Sequence, residues 1–216
     1  MRSSFVAVML LLFTPAAAWA QLPSQPIPLF VADIRGFYSG LGQDPITAAD
    51  LGVLETDLPG RGFGFVGGVH VFVIRKARFA LGVGGELILS HGKKQEDEDE
   101  VEDSPQLEPT TVHQRIQGLS GQLSLNFGDH DGWSYVTAGM GPMRFESYLG
   151  DDAPPERGPQ KMTINMGGGG RWFAKPHLAF MFDVRFYLTR PQEPTVFYPS
   201  RGRYRMVVLS AGISIK

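Results

Sequence analysis

Two histidines, His91 and His113, bracket the densest acid run in the chain, Glu96–Asp103 followed by Glu108. A histidine beside a serine and a carboxylate is the raw material of a nucleophile and its base, and Ser90 and Ser120 lie close by in sequence. Alternation of side chains along a strand turns Ser90 away from the face that carries His91, and no carboxylate stands at a fixed spacing to orient either ring. The histidines therefore read as residues of an interface, and no catalytic residue is assigned. Oxygen-rich clusters bind calcium, but the acid run lacks a glycine-bearing loop spacing, and blocks of like charge are normally solvated and extended. The glycine runs Gly62–Gly68 and Gly167–Gly170 neither precede a helix pattern nor end in Gly-Lys-Ser/Thr, so they cradle no phosphate. They suit close strand packing. No metal and no cofactor is expected.

The other chemistry is ionic. Asp33 and Arg35, Arg144 and Glu146, and Asp183 and Arg185 are each two residues apart, with Glu86 and Arg171 on segments of the same kind. Residues two apart on a strand share a face. In Leu178–Leu188, Leu178, Phe180, Phe182, Val184, Phe186 and Leu188 alternate with Ala179, Met181, Asp183, Arg185 and Tyr187. One side is oily and the other holds an ion pair. Similar segments are expected at 29–40, 62–74, 79–91, 119–127, 133–146, 162–173 and 204–216, which makes eight strands. The eight charged residues (Asp33, Arg35, Glu86, Arg144, Glu146, Arg171, Asp183 and Arg185) then face one enclosed interior, balanced in sign. That balance favours a structural plug over a selective pore.

The connections alternate in length. Short turns at 75–78, 128–132 and 174–177 separate long loops at 41–60, 92–112, 147–160 and 190–202. Short turns at one end, long loops at the other and an even strand number describe a membrane β-barrel. Of 16 prolines, only Pro142 falls inside an expected strand, where a bulge or kink should accommodate it. Residues 1–20 read as a secretory signal peptide: Arg2, then the apolar stretch Phe5–Phe13, then Ala18-Trp19-Ala20 at the cleavage site. Residues 21–28 form a proline-rich periplasmic lead-in and 29–216 the barrel. The chain has no cysteine, and its net charge of −2 gives no reason to expect a nucleic-acid partner.

Aromatic residues are expected to form two outward girdles. Phe30, Phe79, Phe127, Trp133, Tyr135, Trp172 and Phe180 lie toward the short-turn end, and Tyr38, Phe63, Phe65, Phe145 and Tyr204 toward the long-loop end.

Asn165–Phe173, with its four glycines and Arg171, followed by His177–Tyr187, resembles the small outer-membrane barrels of the OmpA/OmpX type, as does Tyr135–Gly141. The resemblance implies an all-β, eight-stranded antiparallel up-and-down transmembrane barrel in the outer membrane. It further implies no enzymatic activity and a role in envelope integrity, adhesion or surface interaction. Its implied partners are outer-membrane lipid, lipopolysaccharide and the barrel assembly machinery. On its residues alone the acid run reads as a solvated extracellular loop, with weak divalent-ion bridging to anionic lipopolysaccharide or to a partner as the alternative. One departure is the end of the chain: the family usually finishes on an aromatic residue, and here Ala211–Lys216 finishes on lysine. Three other readings stay open at this level. They are a narrow channel for small or hydrophobic solutes, a lipid-modifying enzyme using His113, and a secreted lipocalin-like barrel with its apolar faces inside.

Overall fold

A computed structural model describes residues 26–95, 111–152 and 154–216. The signal sequence, its cleavage near Ala20 and the acid run lie outside the described residues. Eight antiparallel strands follow one another around a closed barrel: β1 (Phe30–Gly40), β2 (Arg61–Lys76), β3 (Phe79–Gln95), β4 (Thr111–Asp129), β5 (Gly132–Leu149), β6 (Gln160–Lys175), β7 (Leu178–Thr189) and β8 (Arg205–Ile215). β8 pairs with β1 from Ala32↔Ile215 to Ser39↔Val208, so the ladder has no free edge.

The three turns are tighter than the sequence suggests. Strand pairing runs to Lys76↔Phe79, Asp129↔Gly132 and Lys175↔Leu178, leaving Ala77-Arg78, His130-Asp131 and Pro176-His177 as two-residue connections. Register shifts at Phe72/Ile74 and Phe173/Lys175 place one extra residue just before two of these turns. Bulges of this kind increase the local twist and help a narrow sheet close. Pro142 causes no register shift. Pairing with β4 lapses between Gly118↔Met143 and Gly121↔Met140 and resumes in register, while Pro142 stays opposite Met162 on β6. The residue without an N–H sits where the β4–β5 ladder is open, so the expected bulge is unnecessary.

The wall is inside out. Phe180 is 62% exposed while Asp183 and Arg185 are each 1% exposed. Phe63, Phe65, Leu119, Leu123, Met166, Trp172 and Ile213 also face outward. A water-soluble ligand-binding barrel requires the opposite arrangement, and this wall suits hydrocarbon.

β5 is turned the other way from expectation. Trp133 (3% exposed), Tyr135, Met143 and Phe145 point into the barrel, while Val136 and Met140 face out. Tyr204 is also internal. These four aromatic residues, Trp133, Tyr135, Phe145 and Tyr204, leave the girdles because the two ends of the lumen are themselves apolar. The lower plug joins Ile27, Val31, Phe72, Ala80, Trp133, Tyr135 and Met181. Ile27 thus draws the end of the lead-in into the barrel base. The upper plug joins residues of seven strands, among them Phe37, Val66, Ile88, Ile116, Phe145, Tyr187 and Met206.

The rim is uneven. β3, β4 and β5 run 17, 19 and 18 residues, whereas β1, β7 and β8 run 11, 12 and 11. Loop L1 (41–60) leans over the mouth from the low side. Its helix α1 (Pro45–Leu51) starts at the Asp44 cap, which accepts from Thr47 N at 3.1 Å, and stops at Gly52 with φ 71°. Ala48 and Leu58 of L1 pack on Val112 at the top of β4.

Leu123 faces outward on β4, six residues above Asp129 at the short-turn end. Leu123→Arg should destabilise the folded barrel in vesicles by about 2–4 kcal/mol, the range for a charge near a bilayer midplane, read from the urea unfolding midpoint. An unchanged midpoint would mean that this face does not meet hydrocarbon.

Candidate functional site

Between the two apolar plugs lies a polar layer. Arg35 reaches Asp33 at 3.0 Å, Asp183 at 3.0 Å and Glu86. Arg185 bonds Glu86 at 2.6 Å and Asp183 at 3.1 Å, and Arg171 bonds Asp33 at 2.9 Å and Ser214 Oγ at 3.1 Å. Three carboxylates and three guanidiniums thus form one neutral network. Two hydroxyls extend it, Tyr135 donating to Asp183 at 2.8 Å and Tyr187 donating to Glu86 at 3.1 Å. Gln122 bridges Asn165 (3.0 Å) and Thr137 (3.0 Å) on the β4–β6 side. Burying a charge requires both a partner and hydrogen bonds, and this arrangement supplies them.

The glycines of β6 make room for it. A Cβ on Gly169 would lie 2.8 Å from Tyr135 Oη, so a larger residue there would displace the hydroxyl that holds Asp183.

Arg144 and Glu146 are not in this layer. They stand on the outward side of β5 near the long-loop rim, because β5 points Met143, Phe145 and Ser147 inward. Glu146 is buried there by loop L3 (150–159) and accepts from Gly158 N at 2.8 Å. The sequence reading missed Tyr135 and Tyr187. Tyr187 stands two residues from Arg185 on the same face, a signal available in the alternation; Tyr135 was hidden by the inverted assignment of β5.

His91 and His113 meet on the outer face of β3 and β4, with Nε2 and Nδ1 3.1 Å apart and His113 stacked on Tyr148. Ser90 points inward and donates to Phe63 O, and Ser120 accepts from Gln122 inside the barrel. The barrel wall separates both hydroxyls from both imidazoles, so the triad test fails on geometry. Among the described residues no group of three or more His, Cys, Asp or Glu side chains is arranged to hold a metal ion.

At the long-loop end, L1 is tied to loop L4 (190–204). Asp50 accepts from Ser200 N at 2.7 Å and Ser200 Oγ at 2.5 Å, and Thr47 Oγ1 donates to Ser200 O at 3.2 Å. Arg201 turns down into the mouth, bonding Ser147 Oγ at 2.6 Å beneath the faces of Phe145 and Tyr204. The joined loops display Ile46, Leu54, Val196 and Phe197 to solvent.

Glu86 answers two arginines and a tyrosine. Glu86→Ala should cost about 3–5 kcal/mol, the range for breaking a buried ion pair, measured by urea unfolding in vesicles. A loss below about 1 kcal/mol, the scale of an exposed pair, would mean that water reaches the layer.

No protein-family model and no curated protein matches the chain. Its structure is similar to solved small outer-membrane barrels. Neisserial surface protein A shares 11% identity at a TM-score of 0.49, covering 87% of this chain and 96% of that one. Ail, the attachment invasion locus protein of Yersinia pestis, shares 11% at 0.46, covering 87% and 100%. The N-terminal β-barrel domain of Pseudomonas aeruginosa OprF shares 16% at 0.38, covering 88% and 100%.

Proposed function

We propose that the chain is a non-enzymatic barrel of the outer membrane, with a plugged lumen, that presents its long loops to the exterior for surface interaction. The observation that carries this reading is the inside-out wall, apolar outside and enclosing the six-charge network of Asp33, Arg35, Glu86, Arg171, Asp183 and Arg185. An exported chain cannot leave such a wall in water, and a closed barrel is the one β-structure that spans a bilayer. The export sequence expected at 1–20 supports the same placement. The charge layer acts as a fixed plug that sets strand register. With apolar side chains above and below it, the layer offers no continuous wetted path, which weighs against the channel reading.

The interacting surface is the L1–L4 platform. Val196, 92% exposed at the tip of L4, and Phe197 are held out by loops that hydrogen-bond to each other, which limits the ordering cost on binding.

Fractionation tests the placement: the protein should partition with outer membranes and migrate faster unheated than heated on a gel. Recovery in the soluble periplasm would overturn it. In planar bilayers the folded protein should give no single-channel steps, and regular steps would restore the channel.

The platform should also respond to acid. Hydrogen bonds from the Ser200 hydroxyl and N–H hold the Asp50 carboxyl below its ordinary range. A carboxyl depressed in the folded state contributes stability above its unfolded value, about 3.9, and loses it as pH falls through the folded value. A spin label on L4 should therefore keep constant mobility from neutral pH down to that range and loosen only below it. Asp50→Asn should loosen L4 at neutral pH and abolish the acid step. A step near pH 6 would assign the response to another group.

A further inference from the structure

We propose that the groove between α1 of L1 and the tip of L4 is a binding site for a basic side chain set among apolar ones, an arginine in an exposed segment of a partner protein. The inference rests on the reading of the L1–L4 platform as the interacting surface and gives that surface a partner chemistry. The groove holds about 340 Å³. Leu51 forms one apolar wall, and Pro194, Val196, Phe197 and Pro199 form the other. Among the described residues, Asp50 is the only charged member of its lining.

The shape is fixed before any partner arrives. Thr195 N donates to Tyr198 O at 2.8 Å and Tyr198 N donates to Thr195 Oγ1 at 3.0 Å, which closes the tip turn around Val196 and Phe197. Gln192 and Arg201 exchange backbone hydrogen bonds at 2.8 and 2.9 Å at the base of the loop. Tyr198 Oη donates to Glu156 O at 2.7 Å, which ties L4 to L3 as Ser200 ties it to L1. A loop held on both sides keeps Val196 and Phe197 in solvent without the freedom to turn them away, and a partner that covers them meets a small ordering cost.

The charge selects the partner. Both bonds from Ser200 fall on Asp50 Oδ2, which leaves Oδ1 open. They also hold the carboxyl below its ordinary range, so it stays anionic through about pH 5. L1 adds Asp44, Glu55 and Asp57 and has no lysine or arginine between 41 and 60. The cations of L4 lie elsewhere: Arg201 turns into the mouth, and Arg190 and Arg203 line a separate depression with Met162 and Leu188. A wholly apolar partner would cover Asp50 without answering it. A basic side chain lays its stem along the apolar walls and brings its head to Oδ1 beside the ring of Phe197. Arginine suits this setting because its guanidinium both donates to carboxylate and stacks on aromatic faces.

The test is fluorescence anisotropy of a labelled pentapeptide of alternating leucine and arginine, titrated with the folded protein in phosphatidylcholine nanodiscs, with empty nanodiscs as the blank. Saturable binding is expected, about fivefold tighter than that of the matched leucine–glutamine peptide, the scale of one exposed charge pair. The leucine–glutamate peptide should bind more weakly still. Phe197→Ala keeps the charge and the loop ties, and should weaken the arginine peptide about two- to fivefold. Asp50→Asn should remove the preference for arginine over glutamine. Loosening of L4 weakens both peptides alike, so the ratio reads the charge. Asp131→Asn at the opposite rim should change nothing, and heat-modifiable migration reports that each variant is folded. No saturable binding of the arginine peptide, a preference that survives Asp50→Asn, or an equal loss in Asp131→Asn overturns the proposal. Arginine and glutamine peptides that bind equally, and are both lost in Val196→Ser, would overturn the basic site while leaving the platform as the interacting surface.

Discussion

A strand edge left open in hydrocarbon would expose a row of N–H and C=O groups, each costing several kcal/mol with no water to answer it. The pairing of β8 with β1 removes that edge, and most of the architecture follows from it. Closure with eight strands fixes a lumen just wide enough for side chains to fill. Side-chain alternation then forces every second residue into that lumen and its neighbours onto the wall. Nothing in this geometry requires the interior to be polar or the wall apolar. The sequence decides that, by pairing Phe180, Phe182 and Phe186 outside with Asp183 and Arg185 inside.

The lumen is layered. An apolar plug at each end excludes water from the charges between them, which strengthens each ion pair and raises the cost of losing a partner. Buried ion pairs contribute little net stability compared with well-packed apolar residues, but they discriminate strongly against wrong arrangements. A shift of one residue in the register of β1 or β7 would bring Asp33, Arg35, Asp183 and Arg185 onto the lipid face. The same layer accounts for the glycines facing it on β6, which leave the volume that Tyr135 and the arginines occupy.

Much of this was legible in the residues. Period-two alternation located all eight strands, and loop lengths identified the two ends of the barrel. Asp33, Arg35, Glu86, Arg171, Asp183 and Arg185 all lie on strands whose opposite face is unmistakably oily. β5 lacked that contrast. Trp133, Tyr135 and Phe145 on one face compete with Val136 and Met140 on the other, and girdles alone favour the aromatic face as the outer one. An apolar plug makes aromatic character uninformative about direction at the lumen ends, which is why alternation alone directs Arg144 and Glu146 inward while the structure turns them out. The strand lengths beyond the expected spans and the L1–L4 tie were also hidden. Gly92–Gln95 at the end of β3 carries no apolar side chain, and β4 above Gly118 turns Val112 and Ile116 inward against a polar outer face, the reverse of the oily-out pattern. The Asp50–Ser200 contact joins positions 150 apart in sequence.

The central claim is one of orientation, and the two tryptophans of the barrel report it directly. Trp172 is 60% exposed on the wall and Trp133 is 3% exposed in the lower plug. In chains beginning at Gln21, each retained singly by Trp133→Phe or Trp172→Phe, fluorescence should be measured in bilayers with brominated acyl chains. Strong quenching of Trp172 with Trp133 untouched is the result expected; quenching of Trp133 with Trp172 silent would contradict the account.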